Sequence, residues 1–297
     1  MYLVLPLLAA MAFALGSVVF KRAFAEGAGV AHAVVVNNVF LALLFLPLLA
    51  LEPKPVPWHL WYYPVLTGLA FVTGHLLNVL SLRWGDVSVA TPLLGSKVVF
   101  IALILWAVVG RSPTVAQWWA AGLTTAGVLV MGMSDLRQGT RWGRTILLAL
   151  GCAGAFAVTD VLIQTWASEF GVLSFLSLQF VALAAFSGLL LPFLGPGALR
   201  ASRSAWKWTL FAAALSGVQA ILITGTIGFW KNAAGVNTVY ATRGIWSVLR
   251  VWGAGSWFRN RERHDVGHRG MAWRLAGAVL ILVAVGLVMR EGDSGVR

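Results

Sequence analysis

Carboxylates are scarce in this chain, and the scarcity removes much catalytic chemistry at once. Ten Asp and Glu are spread over 297 residues, and only Asp160 falls deep inside an apolar stretch. The paired acids of glycosidase or aspartic-protease chemistry are therefore missing within the apolar regions, and no catalytic residue is expected. A single cysteine, Cys152, excludes an internal disulfide framework and a Cys-based metal cluster. Charge of either sign is rare at 11% of residues. What fills the chain instead is apolar: 59% hydrophobic residues and a mean hydropathy of +0.84, more than a water-soluble core could bury. The 22 Lys and Arg would suggest nucleic acid in a soluble protein, but here they fall mainly between apolar runs, where the positive-inside bias puts them. The expected partners are the lipid bilayer and a small-molecule substrate, not nucleic acid. The chain reads as an all-α, multi-pass integral membrane protein, either a monomer or a homodimer.

A bilayer crossing takes about 20 apolar residues. Ten stretches qualify, at 2–20, 30–51, 60–82, 87–109, 115–134, 143–165, 172–194, 206–229, 236–257 and 271–290. The first positive charges, Lys21 and Arg22, follow the first run instead of preceding it, so the run reads as a retained span and not as a secretory leader. Most tryptophans sit at the ends of these stretches, as headgroup-level anchors do. Trp246 and Trp252 fall inside the ninth, where they pack or line a cavity.

Sliding the chain against itself by 143 positions sets Leu5, Leu7, Ala10, Ala12, Phe13, Ala14, Val18 and Glu26 over Leu148, Leu150, Ala153, Ala155, Phe156, Ala157, Val161 and Glu169. Ala90, Thr91 and Ser96 then fall over Ala241, Thr242 and Ser247, and Trp118 through Val130 over Trp273 through Val285. Three windows in chain order point to duplication, with five spans in 1–138 and five in 139–297. Five is odd, so the halves enter the membrane from opposite sides. The expected architecture is ten helices as two inverted repeats, whose sites lie near the midplane.

Candidate site residues are polar groups stranded in apolar helices: Asn37 and Asn38, His75 and Asn78, Lys97, Asp160 and Gln164, Gln179, Gln219, Thr224 and Thr226, Arg243 and Arg250. A charge at the depth of Lys97 costs roughly 3 kcal/mol on insertion scales, which calls for a wet cavity or a counter-charge. An isolated Asp160 would be a proton-coupling group, whereas beside Lys97 or Arg243 it stays ionised. The Asn, Gln and Thr residues read mainly as hydrogen bonds between helices. Gly95-Ser96-Lys97 resembles the end of a phosphate loop, but Ala90 stands where that loop needs its first glycine. His264 and His268 flank Gly267 in a basic loop and read as a solvated pair, so neither metal nor cofactor is expected. Pro92, lacking an amide hydrogen, can open the backbone near Lys97.

Ten spans in two halves, with Pro92 opening the fourth, Gly110 at its end, and then Gln117, Gly122 and Gly127-Val128, resemble the EamA-type domain of the drug/metabolite transporter superfamily. A weaker second copy runs from Ala241-Thr242 through Gly277. The resemblance implies alternating-access carriage of a small metabolite through a cavity lined by both halves, and no enzymatic activity. Two positions depart from the pattern: Arg111 replaces an acidic residue, and Arg243 matches Pro92. The resemblance to organophosphate-carrying relatives implies that basic residues on the fourth and ninth spans face the substrate, which places Lys97 and Arg243 there. The expected substrate-binding set is Lys97, Asp160, Arg243, His75, Asn78 and Trp246, for an anionic or zwitterionic solute. Competing readings are a flippase-like lipid handler, a membrane-embedded enzyme and a passive channel.

Loops after odd-numbered spans hold fourteen Lys and Arg, counting Arg274, against five on the opposite side. That bias favours both termini outside, although the resemblance implies termini in the cytoplasm. The cell (inner) membrane is the expected location.

Overall fold

The computed structural model describes residues 4–109, 115–132, 141–194, 197–254, 257 and 262–294, and among them it is helical without a strand. The first half contains α1 (Val4–Ala25), α2 (Val30–Phe45, continued by a 3-10 segment Leu46–Leu51), α3 (Tyr62–Trp84), α4 (Val87–Leu93), α5 (Lys97–Val109) and α6 (Val115–Gly132). The second contains α7 (Arg141–Phe170), α8 (Val172–Leu189), α9 (Arg203–Trp230), α10 (Ala233–Tyr240), α11 (Arg243–Ala254) and α12 (Glu262–Ser294), the last kinked at Gly267 with φ 69°. Among the described residues, eight helical segments are long and apolar enough to cross a bilayer, so the protein is an integral, multi-pass membrane protein.

The other two expected spans fall short of that standard for visible reasons. The fifth is a helix of 18 residues, α6, diluted by Gln, Thr and Gly. The ninth is not one helix. It runs from Ala233 to Tyr240 and resumes at Arg243, and neither piece, of 8 and 12 residues, is long enough to span alone. The fourth span is broken too. Pro92 has no amide to offer the carbonyl one turn back, and the chain tightens into a 3-10 turn at Leu94–Ser96 before α5 begins at Lys97.

The packing is set by which helices pair along their length. α1 lies along α9, α3 along α7 and α8, α2 along α8 and α9, and α6 along α12. The two broken spans cross each other, α4 against α11 and α5 against α10. At the crossing a Cβ on Gly244 would stand 2.8 Å from the Pro92 Cα, and one on Gly95 would stand 3.6 Å from the Ala241 Cβ. Such closeness at both breaks brings backbone ends, and the first side chains after them, to the middle of the fold. Exposed tryptophans at helix ends, among them Trp58, Trp61, Trp118, Trp119, Trp230 and Trp257, fit the expected anchoring role.

Several expectations are corrected. Arg274, counted among loop cations, is wholly buried in α12, and its guanidinium bonds Asp86 Oδ2 at 2.7 Å. Thr224 and Thr226 donate to their own helix, at Ala220 O and Leu222 O, rather than across helices. His268 is exposed, as expected, and its Nδ1 also meets Trp252 Nε1 of the ninth span at 3.0 Å. Gly110, Arg111, Arg137, Arg259, Arg261 and Arg297 lie outside the described residues, as do the side chains of Gln117, Arg141, Arg263 and His264.

Candidate functional site

At the breaks in spans four and nine the backbone tightens into short-range bonds, such as Lys97 N–H to Leu94 O and Gly244 N–H to Ala241 O. At the first break the Arg243 guanidinium donates to Leu94 O at 2.6 Å, so the cation heading α11 caps the frayed end of span four. Its planar face also lies over aromatic rings, 4.0 Å from the Tyr240 centroid and 5.0 Å from that of Phe13. Tyr240 and Phe13 meet edge to face at 6.0 Å. Arg243 is 3% exposed, its Nε has no partner, and no carboxylate among the described residues lies within ion-pair distance.

Lys97 occupies the matching place, at the head of α5 after the break in span four. Its Nζ is 2.6 Å from Asp160 Oδ2 on α7, and both side chains are 5% exposed. Asn237 Nδ2 donates to the same oxygen at 2.5 Å while also reaching Ala233 O, which fixes the carboxylate from the α10 side. The Phe156 ring lies 5.6 Å from Lys97 Nζ. The cluster therefore combines one neutralised ion pair with one cation held by a carbonyl and aromatic faces. Its balance is one net positive charge in a region from which water is largely excluded.

Of the six expected site residues, the structure brings Lys97, Asp160 and Arg243 into this cluster. His75 and Asn78 line a small separate cavity with Phe13, Ser17 and Ser216. Trp246 packs against the apolar cluster that holds Phe170, Phe175, Phe180 and Tyr240. Gln164 instead caps α10, accepting from the Ala233 amide at 2.8 Å, and Asn38 bridges to Ser187 on α8 at 2.7 Å. Asn237 and Tyr240 were missed. Both lie close to where the ninth span was expected to start, so they read as end residues, and only the earlier start of α10 at Ala233 puts them inside.

Residues 1–133 match the model of the EamA-like transporter family. The match covers the first of the two halves read from the sequence and agrees with the EamA-type pattern found there. No curated protein matches the chain. One solved structure, titled only "Crystal structure of protein", superimposes with a TM-score of 0.60 over 95% of this chain and 98% of that one. At 17% identity that likeness concerns the fold alone.

Proposed function

We propose that this EamA-type chain is a secondary transporter of the cell (inner) membrane that carries a small organic anion by alternating access. Its two halves, 1–138 and 139–297, are read as inverted five-span repeats. The pairing of helices supports this. The first span packs on the eighth (α1 on α9) as the sixth packs on the third (α7 on α3), and the fifth packs on the tenth (α6 on α12). The fourth and ninth spans are both discontinuous, as transporter helices at corresponding places often are around a midplane site. The 143-residue offset sets Phe13 over Phe156, and each of these rings lies near a cation of the other half, Arg243 and Lys97 respectively.

The observation that carries the substrate class is Arg243, a buried guanidinium with no carboxylate partner among the described residues. A carboxylate or phosphate takes a guanidinium through two parallel hydrogen bonds, stronger than the single bond to a neutral carbonyl. Lys97 is already neutralised by Asp160. A zwitterion's ammonium would have to displace Lys97 from that carboxylate, so a simple anion fits better. An anion that draws Arg243 from Leu94 O unties the two crossed breaks, and a ligand moves a conformational equilibrium only through such differential contacts.

Counterflow of labelled carboxylates in proteoliposomes tests the reading. Saturable exchange of an anion is expected, with lipophilic cations excluded, and Arg243→Met should lower anion exchange by at least about tenfold while its detergent elution profile stays that of the wild type. Cation preference, or anion exchange untouched by Arg243→Met, would refute it. The more basic end of the molecule, with Lys21, Arg22, Arg83, Arg144, Arg203 and Lys207, is taken as cytoplasmic, which leaves both termini outside. A C-terminal reporter active only in the cytoplasm should be silent.

A further inference from the structure

A cavity of about 20 Å³ lies between α1, α3 and α9, lined by Phe13, Ser17, His75, Asn78 and Ser216. It has room for one water-sized group, since a water needs about 10–15 Å³ on this measure. Both ring nitrogens of His75 and the Oδ1 of Asn78 meet no protein partner, although the two side chains are only 4% and 5% exposed. A neutral imidazole offers one donor and one acceptor, and an amide oxygen accepts. No single atom reaches both ring nitrogens, which face opposite ways, but one hydroxyl or water can accept from the protonated nitrogen and donate to Asn78 Oδ1. A methyl can do neither, and a carboxylate is too large and would set its lone pairs against Asn78 Oδ1.

Phe13 connects this cavity to the cation. Its ring lines the cavity and stands 5.0 Å from the Arg243 guanidinium carbon, and its carbonyl receives the Ser17 hydroxyl at 3.0 Å. The spacing suits a molecule of a few carbons. We propose that the pocket is a hydroxyl subsite, reading one hydroxyl of an organic anion whose charged end is held by Arg243. This rests on the anion reading above and adds to it: the substrate is a hydroxylated acid, and Phe13 packs on the carbons between the two polar ends.

Counterflow with matched pairs, propionate against lactate and succinate against malate, tests it in proteoliposomes of the full chain. The wild type should favour the hydroxylated member by about tenfold or more, because a site built to bond a hydroxyl discriminates strongly against its absence. His75→Phe should bring that ratio to within about twofold, and Asn78→Leu supplies the same readout if His75→Phe elutes as aggregate. A second measurement separates a substrate hydroxyl from a resident water. In a Cys152→Ser chain, Ser216→Cys, which leaves His75 and Asn78 in place, should react with a hydrophilic methanethiosulfonate and be protected by malate but not by succinate. Carboxylates carried without preference for the hydroxyl, a ratio unmoved by both pocket variants, or equal protection by the two acids would overturn the subsite while leaving the anion reading intact. If none of the four acids is carried, the anion reading falls, and the subsite with it.

Discussion

Lys97 and Arg243 each stand first after the break in their span, each over an aromatic ring, yet their surroundings divide them. Lys97 has a carboxylate at 2.6 Å, itself held by Asn237. Arg243 has a backbone carbonyl and two rings. Similar placement has thus produced one cation paired with a carboxylate and one without a carboxylate partner among the described residues. One position illustrates the difference: the 143-residue offset of the sequence against itself sets Ser17 over Asp160, a hydroxyl over the acid. Buried charge by itself does not mark a substrate contact; the absence of an internal counter-charge is the sharper sign.

The largest expected effect breaks the pair on the neutralised side. Asp160→Asn leaves Lys97 buried without its charge partner, and losing one member of such a pair costs about 3–5 kcal/mol. Replacing both, as Lys97→Met with Asp160→Leu, should recover most of that stability. Arg243→Met removes one charge-assisted bond, worth about 1.5–3 kcal/mol, but strands no opposite charge, so its thermal unfolding in detergent should move less than that of Asp160→Asn. Equal losses in the two single variants would show that Arg243 is as much a structural cation as Lys97.

The two breaks differ in the same way as their cations, and alanine scanning of the glycines sharpens this. A Cβ at Gly244 meets the Pro92 backbone at 2.8 Å, which cannot move without shifting span four. At Gly95 the nearest atom is the Ile281 Cγ2 at 3.2 Å, a side-chain methyl that can give. Gly244→Ala should therefore cost about 1–3 kcal/mol, within the usual range for overpacking, and Gly95→Ala less than about 1 kcal/mol. Thermal unfolding of the two variants side by side checks the order.

How much of this was legible in the sequence depends on range. Apolar run lengths located the helices, and Pro92 announced the opening beside Lys97 because a missing amide acts locally. The Lys97–Asp160 pair was foreseeable as an option, since a midspan cation needs a counter-charge and Asp160 was the deep acid. The burial of Arg274 was not. Asp86 adjoins Gly85, and Arg274 lies at the start of the last apolar stretch, so both looked like loop charges, and only the approach of α12 to the start of α4 joins them. Nor did the pattern reveal that Arg243 would cap Leu94. That contact depends on two helices breaking at the same depth, and the second break carries no proline to signal it.

The smallest expected effect concerns the rings. A cation over an aromatic face is worth about 0.5–1 kcal/mol at modest burial and about 2 when desolvated. Phe156 lies under an ammonium already satisfied by Asp160, so Phe156→Leu should change stability through lost packing and leave the concentration dependence of anion exchange nearly unchanged. Phe13 lies under the guanidinium proposed to receive the substrate, at 5.0 Å. Losing its ring loosens the orientation of Arg243, although Tyr240 at 4.0 Å still holds the opposite contact. Phe13→Leu should therefore raise the half-saturating anion concentration about two- to fivefold, the equivalent of about 0.5–1 kcal/mol. Because each variant loses one ring from the protein interior, their unfolding temperatures serve as the control for each other. If Phe156→Leu shifts half-saturation as much as Phe13→Leu does, the two cations face the substrate equally, and the division between them is wrong.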